Sequence, residues 1–541
     1  MVLFDPHRYA YPSRRSVVYA RRAMACTSVP LGAQVGLDVM KAGGNAVDAA
    51  VAMAAAMPLL EPTGNGIGGD CFALVWVERE KKLYGLNASG VSPAALSAAL
   101  VRERGFGEMP KEGWLPTMVP GAPGGWAELN RRFGTRPLEE LFAPAASYAR
   151  EGVAVPVNVA VQWALDGPRI GRAMERDPAP HRPWWERMMK ADGTPYRAGE
   201  IFRWPEYADT LEELAATSCE SFYRGSLMER MVSFSRETGG FFQERDLQDY
   251  RPEWVEPITA DYKGYTVCEI PPNGHGITVL MALNILKGLP LSQERDSADT
   301  YHKILEAIKL AFADTRTYVA DPRYMRTRVA DLLSEDYAAR RRALIGERAL
   351  LPQAGDPSRG TIYLCTADPQ GNMVSFIQSN YTTFGAGIRI PGTGICLQNR
   401  GANFSLDEGS DNCLAGGKKS YHTIIPGFLM KEGTAVGPFG VMGAFMQPQG
   451  HVQVVVNTVD YHMNPQECLD APRMQWTGGK RIQLEREVPA HIGLRLAEMG
   501  HQVEICNSNL DMGRGQIIWR MEDGTLAGGT EPRCDGTVAA W

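Results

Sequence analysis

The sequence has no apolar run long enough to cross a bilayer. Its longest such stretch, Ala46 to Leu60, is broken by Asp48 and Pro58 and falls short of the about 20 residues a spanning helix needs. It predicts a buried, alanine-rich helix instead. The first twenty residues lack the apolar segment of a secretory signal; they carry Asp5, His7, Arg8, Arg14 and Arg15 together with Pro6 and Pro12. Ten cysteines run from Cys26 to Cys534 without a C-x-x-C pair, which predicts reduced core residues rather than a disulfide framework. A cytoplasmic location is the resulting expectation. The net charge of −6 includes no basic excess to attract nucleic acid. There is no P-loop, no H-E-x-x-H and no G-x-S-x-G, and His422, His451 and His462 lack metal-ligand spacing. No metal, cofactor, membrane or nucleic-acid partner is therefore expected. A hydrophobic fraction of 44% with 22% charged residues is ordinary for a globular enzyme.

What is present is organised by helical and strand periodicity. Leu31, Val35, Val39 and Met40 predict a helix over Pro30 to Lys41, stopped by Gly43-Gly44. Asn45 can cap the alanine-rich helix that follows, with Asp48 completing a capping box. A glycine loop, Glu61 to Asp70, then leads into a strand over Cys71 to Val77. The middle of the chain, about 101–300, reads as helix-rich. Further helices are expected at Ile277–Leu286 and at Tyr301–Ala320, the latter with an apolar stripe of Ile304, Ile308, Ala311 and Phe312. Leu344 to Arg359 is polar and irregular and reads as a linker. Strands are expected at Thr361–Ala367 and Met373–Ser379, joined by the turn Asp368-Pro369-Gln370-Gly371-Asn372, and again at Ile424–Met430 and Val452–Asn457.

Gly64, Gly66 and Gly69 match G-x-G-x-x-G, the pattern of a dinucleotide-binding loop. That loop must follow a strand and open a helix. Here a helix precedes it and a strand follows, so the pattern reads as a loop whose glycines permit positive φ and close packing. An NAD-dependent enzyme is disfavoured.

Thr361 is the residue with the most chemical potential. As an internal residue it is merely a threonine opening a strand. If the chain is cut between Gly360 and Thr361, the threonine gains a free α-amine beside its own hydroxyl, and nucleophile and general base share one residue.

The surroundings strengthen this reading. Lys41-Ala42-Gly43-Gly44-Asn45-Ala46-Val47-Asp48-Ala49-Ala50-Val51-Ala52, the loop ending Gly68-Gly69-Asp70, and Asp368-x-x-Gly371-Asn372 after Thr361 are one set of motifs. Thr382-Thr383-Phe384-Gly385-Ala386-Gly387-Ile388, Pro391-Gly392-Thr393-Gly394-Ile395 and Leu397-Gln398-Asn399 are another, with Pro271-Pro272, Glu306 and Asp321-Pro322 between. Together they resemble the gamma-glutamyltranspeptidase family of N-terminal-nucleophile hydrolases over nearly the whole chain. The resemblance implies an α+β fold, the Ntn-hydrolase four-layer αββα sandwich. It implies a precursor cleaved at Gly360/Thr361 into a large-chain region, 1–360, and a small-chain region, 361–541, which remain partners in one folded unit. It implies acyl transfer from a small-molecule amide, with Thr361 as nucleophile, Ser379 supporting it, and the backbone N–H groups of Gly443 and Ala444 holding the oxyanion.

The implied substrate positions depart from those of a glutathione-processing member. Asn403 stands where a carboxylate would pair with the α-ammonium of a γ-glutamyl group, Tyr381 replaces an asparagine, and Arg400 replaces a glutamine. His422-Thr423 replaces a serine pair that would hold the α-carboxylate. The arginine of the large chain that would bind that carboxylate is not evident; Arg102 and Arg104 are the candidates. An amide cannot form the ammonium ion pair, so a glutaryl-type acyl group, with a carboxylate and no amine, suits these residues better. The resemblance is to the branch that includes cephalosporin-acylase-like proteins. The expected function is cleavage of gamma-glutamyl or related glutaryl-type amides through an acyl-enzyme. The alternative is an uncleaved, inactive relative acting as a binding protein.

Overall fold

The structure, a computed structural model, describes residue 11 and residues 15–352 and 361–541. Two antiparallel sheets lie face to face, each of seven strands among the described residues. The first runs in the order Thr537–Ala540, Met24–Thr27, Ile362–Ala367, Met373–Ser379, Asp70–Val77, Lys82–Ala88, Glu253–Val255. The second runs Val18–Ala20, Leu526–Thr530, Arg514–Arg520, Thr434–Met442, Gly427–Lys431, Tyr265–Glu269, Ile258–Tyr262. Phe72, Trp76, Tyr363, Ile377, Phe428, Met442 and Ile518 fill the space between them. Helices Pro30–Lys41, Ala46–Leu60 and Ala122–Phe133 cover the outer face of the first sheet. Helices Gly276–Leu286 and Met446–Val459 cover that of the second, and Ala298–Tyr318 packs against both. This is the four-layer αββα sandwich of the Ntn hydrolases, with strands from both sides of position 361 in each sheet.

The alanine-rich helix forms as its cap predicts. Asn45 Oδ1 accepts from Val47 N and Asp48 N, both at 2.9 Å, and Asp48 returns the bond to Asn45 N at 2.9 Å. Every residue of the helix is buried, so its small side chains serve close approach to the sheet rather than amphipathic packing. The turn after the Thr361 strand is tied to the same helix. Asp368 accepts from Ala46 N at 3.0 Å and from Asn372 N at 2.9 Å, while Gly371 sits at φ +86°. The motif Asp368-x-x-Gly371-Asn372 is thus a structural clasp between helix and strand.

Two expectations are corrected. Val452–Asn457 is not a strand but part of the helix Met446–Val459, all of whose residues are buried. Its β-branched run has strand propensity, yet a helix enclosed on every side can be apolar all round. Of the two properties expected of the glycine loop, only close packing holds. None of Gly64, Gly66, Gly68 and Gly69 has positive φ. A Cβ on Gly64 would lie 3.0 Å from the Thr361 carbonyl oxygen, and one on Gly68 would lie 2.3 Å from that of Cys396. The ten cysteines are unpaired and nine are buried. Among the described residues no helix is long and apolar enough to cross a membrane.

Candidate active site

Thr361 immediately precedes the strand Ile362–Ala367, at the end of the sandwich where the neighbouring strand finishes at Ser379. The two hydroxyls are 3.1 Å apart. From the second sheet, the strand Thr434–Met442 ends at the same place, and Gly443-Ala444 turns the chain into the helix Met446–Val459. The carbonyls of Gly443 and Ala444 accept from Met446 N and Gln447 N at 2.9 and 3.1 Å. Their own N–H groups are thereby left on the N-terminal side of that helix, where its unpaired donors gather. Gln447, in the first turn, points Nε2 at Thr361 Oγ1 at 3.4 Å and accepts from Ile425 N at 3.1 Å. Sequence reasoning missed Gln447, which lies in no motif; its position on the turn after Gly443-Ala444 was the available signal. Ala444 has φ +49°, in the left-handed region.

Gly360 and residues 353–359 of the expected linker lie outside the described residues. Thr361 itself is buried at 2% exposure, with the glycine loop against its carbonyl.

Beyond Ser379 the chain enters a buried polar cluster. Tyr381, held at φ +76°, donates its N–H to Ser379 Oγ at 2.8 Å. Its ring carries the Arg400 guanidinium, whose Cζ lies 4.6 Å from the ring centroid. Arg400 is fully buried; Nη1 donates to Thr423 Oγ1 at 2.5 Å, whereas Nε and Nη2 have no hydrogen-bond partner among the described residues. Asn403 Nδ2 is likewise buried without a partner. His422 lies on Asp70, Nε2 to Oδ2, at 3.0 Å. Burial drives the His422 pKa well below its ordinary value, with Arg400 adding to the effect, so its ring is neutral. Burial pushes the Asp70 carboxyl up to about 7 against the pull of Arg400, and lowers Arg400 to about 10. The structure therefore brings together Thr361, Ser379, Gly443 and Ala444 at one end of the sheets. Tyr381, Arg400, Thr423 and His422 form a second, connected group reached through Ser379, with Asn403 at the end of the turn that Arg400 opens.

Arg102 and Arg104 serve elsewhere. Arg102 pairs with Glu408 at 3.1 Å, and Arg104 lies 4.9 Å over the Phe241 ring. Thr383 and Gly385 belong to a turn closed by Gly385 N to Thr382 O at 2.8 Å, and Arg169 donates to the carbonyls of both.

A separate buried group has metal-ligand residue types: His302, Glu306 and His501. Its hydrogen bonds are already ordered around an internal cation. Lys309 donates to Glu306 Oε1 at 2.6 Å and to His501 Nδ1 at 3.3 Å. His501 Nε2 then donates to His302 Nδ1 at 2.9 Å, and His302 Nε2 to Gly346 O at 2.8 Å. The Lys309 ammonium supplies the positive charge a metal would bring, so these residues read as a structural relay.

Comparison with known proteins agrees with this architecture. Residues 32–541 match the family model for gamma-glutamyltranspeptidase. The chain is 32% identical to the glutathione hydrolase-like YwrD proenzyme of Bacillus subtilis (strain 168), covering 96% of this chain and 99% of that protein. It is 33% identical to the oxamate amidohydrolase proenzyme of Klebsiella pneumoniae, over 96% of this chain and 98% of that one. Among solved structures, cephalosporin acylase from Bacillus halodurans superposes with a TM-score of 0.94 at 52% identity, covering 100% of this chain and 99% of that one. The chain belongs to the gamma-glutamyltranspeptidase family, and it is an amide-bond hydrolase of that family's acylase-like kind.

Proposed function

We propose that the chain matures by cleavage between Gly360 and Thr361, into regions 1–360 and 361–541, and that Thr361 then cleaves amides whose acyl group carries a carboxylate but no amine. Thr361 Oγ1 attacks the amide carbonyl while its freed α-amine takes the proton, directly or through water. The oxyanion receives the N–H groups of Gly443 and Ala444, at the positive end of the helix they precede. The leaving amine takes up the proton, and water or an acceptor amine resolves the acyl-enzyme. Ser379 and Gln447, at 3.1 and 3.4 Å, orient the threonine hydroxyl.

The observation that carries the acyl assignment is Arg400. Asp70 Oδ2, 4.0 Å from Nε, balances its charge, but two buried guanidinium nitrogens without a hydrogen-bond partner among the described residues are costly unless an acceptor such as a substrate carboxylate completes them. An α-ammonium at the same place would meet a like charge, and Asn403, at the position where a carboxylate would pair with it, is neutral. Oxamate, named for the Klebsiella relative, is an amide of this type.

Intact mass after expression should show two chains that separate under denaturing conditions and co-elute under native ones. Thr361→Ala should remain one chain and lose activity; a cleaved or active variant would refute the nucleophile. Glutaryl-p-nitroanilide should exceed γ-glutamyl-p-nitroanilide in kcat/KM by about tenfold or more, the worth of one charge-assisted contact. The reverse order would return the chain to γ-glutamyl chemistry.

A further inference from the structure

Asp70 opens the strand Asp70–Val77 directly opposite Ser379 in register and is 1% exposed. Nothing in its motif distinguishes it from the end of a glycine loop, yet its carboxylate is the hub of the buried polar cluster. Oδ1 accepts from Gly90 N at 3.2 Å; Oδ2 accepts from His422 Nε2 at 3.0 Å and Gln398 Nε2 at 3.2 Å. Gln398 in turn accepts from the Arg400 backbone N–H at 2.5 Å. The His422 ring is fixed from its other side by Ile424 N, 3.4 Å from Nδ1, and packs against Phe72. Its tautomer is thereby set, with the proton on Nε2 facing Asp70.

The distance to Arg400 is informative. Asp70 Oδ2 lies 4.0 Å from Arg400 Nε, beyond hydrogen-bond reach. Asp70 thus compensates the guanidinium charge without occupying it. Thr423 holds Nη1, Tyr381 supports the face, and Nε and Nη2 are buried with no hydrogen-bond partner among the described residues. That edge can take a carboxylate with two parallel bonds. Lys419, a second cation that pulls on Asp70, is paired with Glu253 at 2.8 Å.

We propose that Asp70 is a specificity-determining positioning residue, which clamps His422 and Arg400 so that the Nε–Nη2 edge receives the carboxylate of the acyl group. The inference rests on the acyl assignment above. Replacing Asp70 by Asn keeps the shape but turns an amide donor either toward Gly90 N or toward His422 Nε2 and Gln398 Nε2, so one side of the clasp must release it. Arg400 loses its counter-charge at the same time.

The test is Asp70→Asn in the full chain, comparing glutaryl-p-nitroanilide with valeryl-p-nitroanilide, which lacks the carboxylate. Self-cleavage should persist. KM for the glutaryl compound should rise about tenfold with kcat nearly unchanged, while the valeryl constants stay put, because the lost interaction is one of binding. A self-cleaved variant with an unchanged glutaryl-to-valeryl ratio of kcat/KM overturns the proposal. A wild-type enzyme that shows no glutaryl preference instead overturns the acyl assignment, so the two failures are distinct. If Asp70→Asn does not mature, His422→Asn breaks the clamp from the opposite side. The same fall in the ratio is then expected, and an unchanged ratio again overturns the proposal.

Discussion

Single residues here act through backbone conformation as much as through side-chain chemistry. Ala444, whose N–H the proposed mechanism gives to the oxyanion, has a left-handed backbone, φ +49°, where a Cβ is strained and glycine is not. Ala444→Gly should keep kcat, because the donor survives, and should stabilise the protein by up to about 1 kcal/mol once glycine's greater unfolded-state entropy is offset. Ala444→Val should lose both stability and kcat, since a β-branched residue resists this region. Thermal melting and turnover on the same preparations check both; a lower melting temperature for the glycine variant would contradict the strain. Thr361, Ser379 and the Gly443-Ala444 pair could be named from motifs. Asp70 and Gln447 could not, because each acquires its role only from a partner more than eighty positions away, His422 and Thr361 respectively.

The elements show where local signals suffice. The helix Ala46–Leu60 begins where Asn45 and Asp48 place it, because a capping box is a contact between residues three apart. Asn45 also donates to Phe133 O at 2.7 Å, fastening a second helix. Asn45→Ala should therefore cost about 1 kcal/mol for the cap, with a further loss for that bond, read as a lower urea midpoint. An unchanged midpoint would show that burial alone holds the helix. Val452–Asn457 illustrates the reverse case. A short β-branched run cannot be assigned from its own residues when every side of it is covered, and the decision falls to the sheet and helices around it.

In the whole molecule, each sheet takes strands from both sides of position 361, so cleavage there would cut the chain without dividing the fold. Burial also couples stability to pH. His451 and His501 are pushed down to about 3 by burial, against about 6.5 in an unfolded chain. As pH falls from 6.5 toward 3, the unfolded chain takes up protons that the fold refuses, and stability falls. Glu61 and Asp70, pushed up to about 7 by burial, act in the opposite sense: their contribution is present at low pH and lost as pH rises through 7. The difference between variants is therefore the useful quantity. The urea midpoint of wild type should drop more steeply between pH 7 and 5 than that of His501→Gln, whose side chain cannot titrate. Parallel slopes would show that the relay through Lys309 and His302 tolerates the proton.

The sequence by itself determined the family and the strand and helix order around Thr361, and it singled out Thr361 for the proposed chemistry, because these rest on contiguous motifs and local periodicity. Only the tertiary structure decided which charges and donors surround Arg400. Nε and Nη2 of Arg400 are buried without a hydrogen-bond partner among the described residues because Tyr381, Thr423 and His422, and Asp70 from the far side of the chain, meet around it at one end of two sheets. Burial there makes each unpaired donor count.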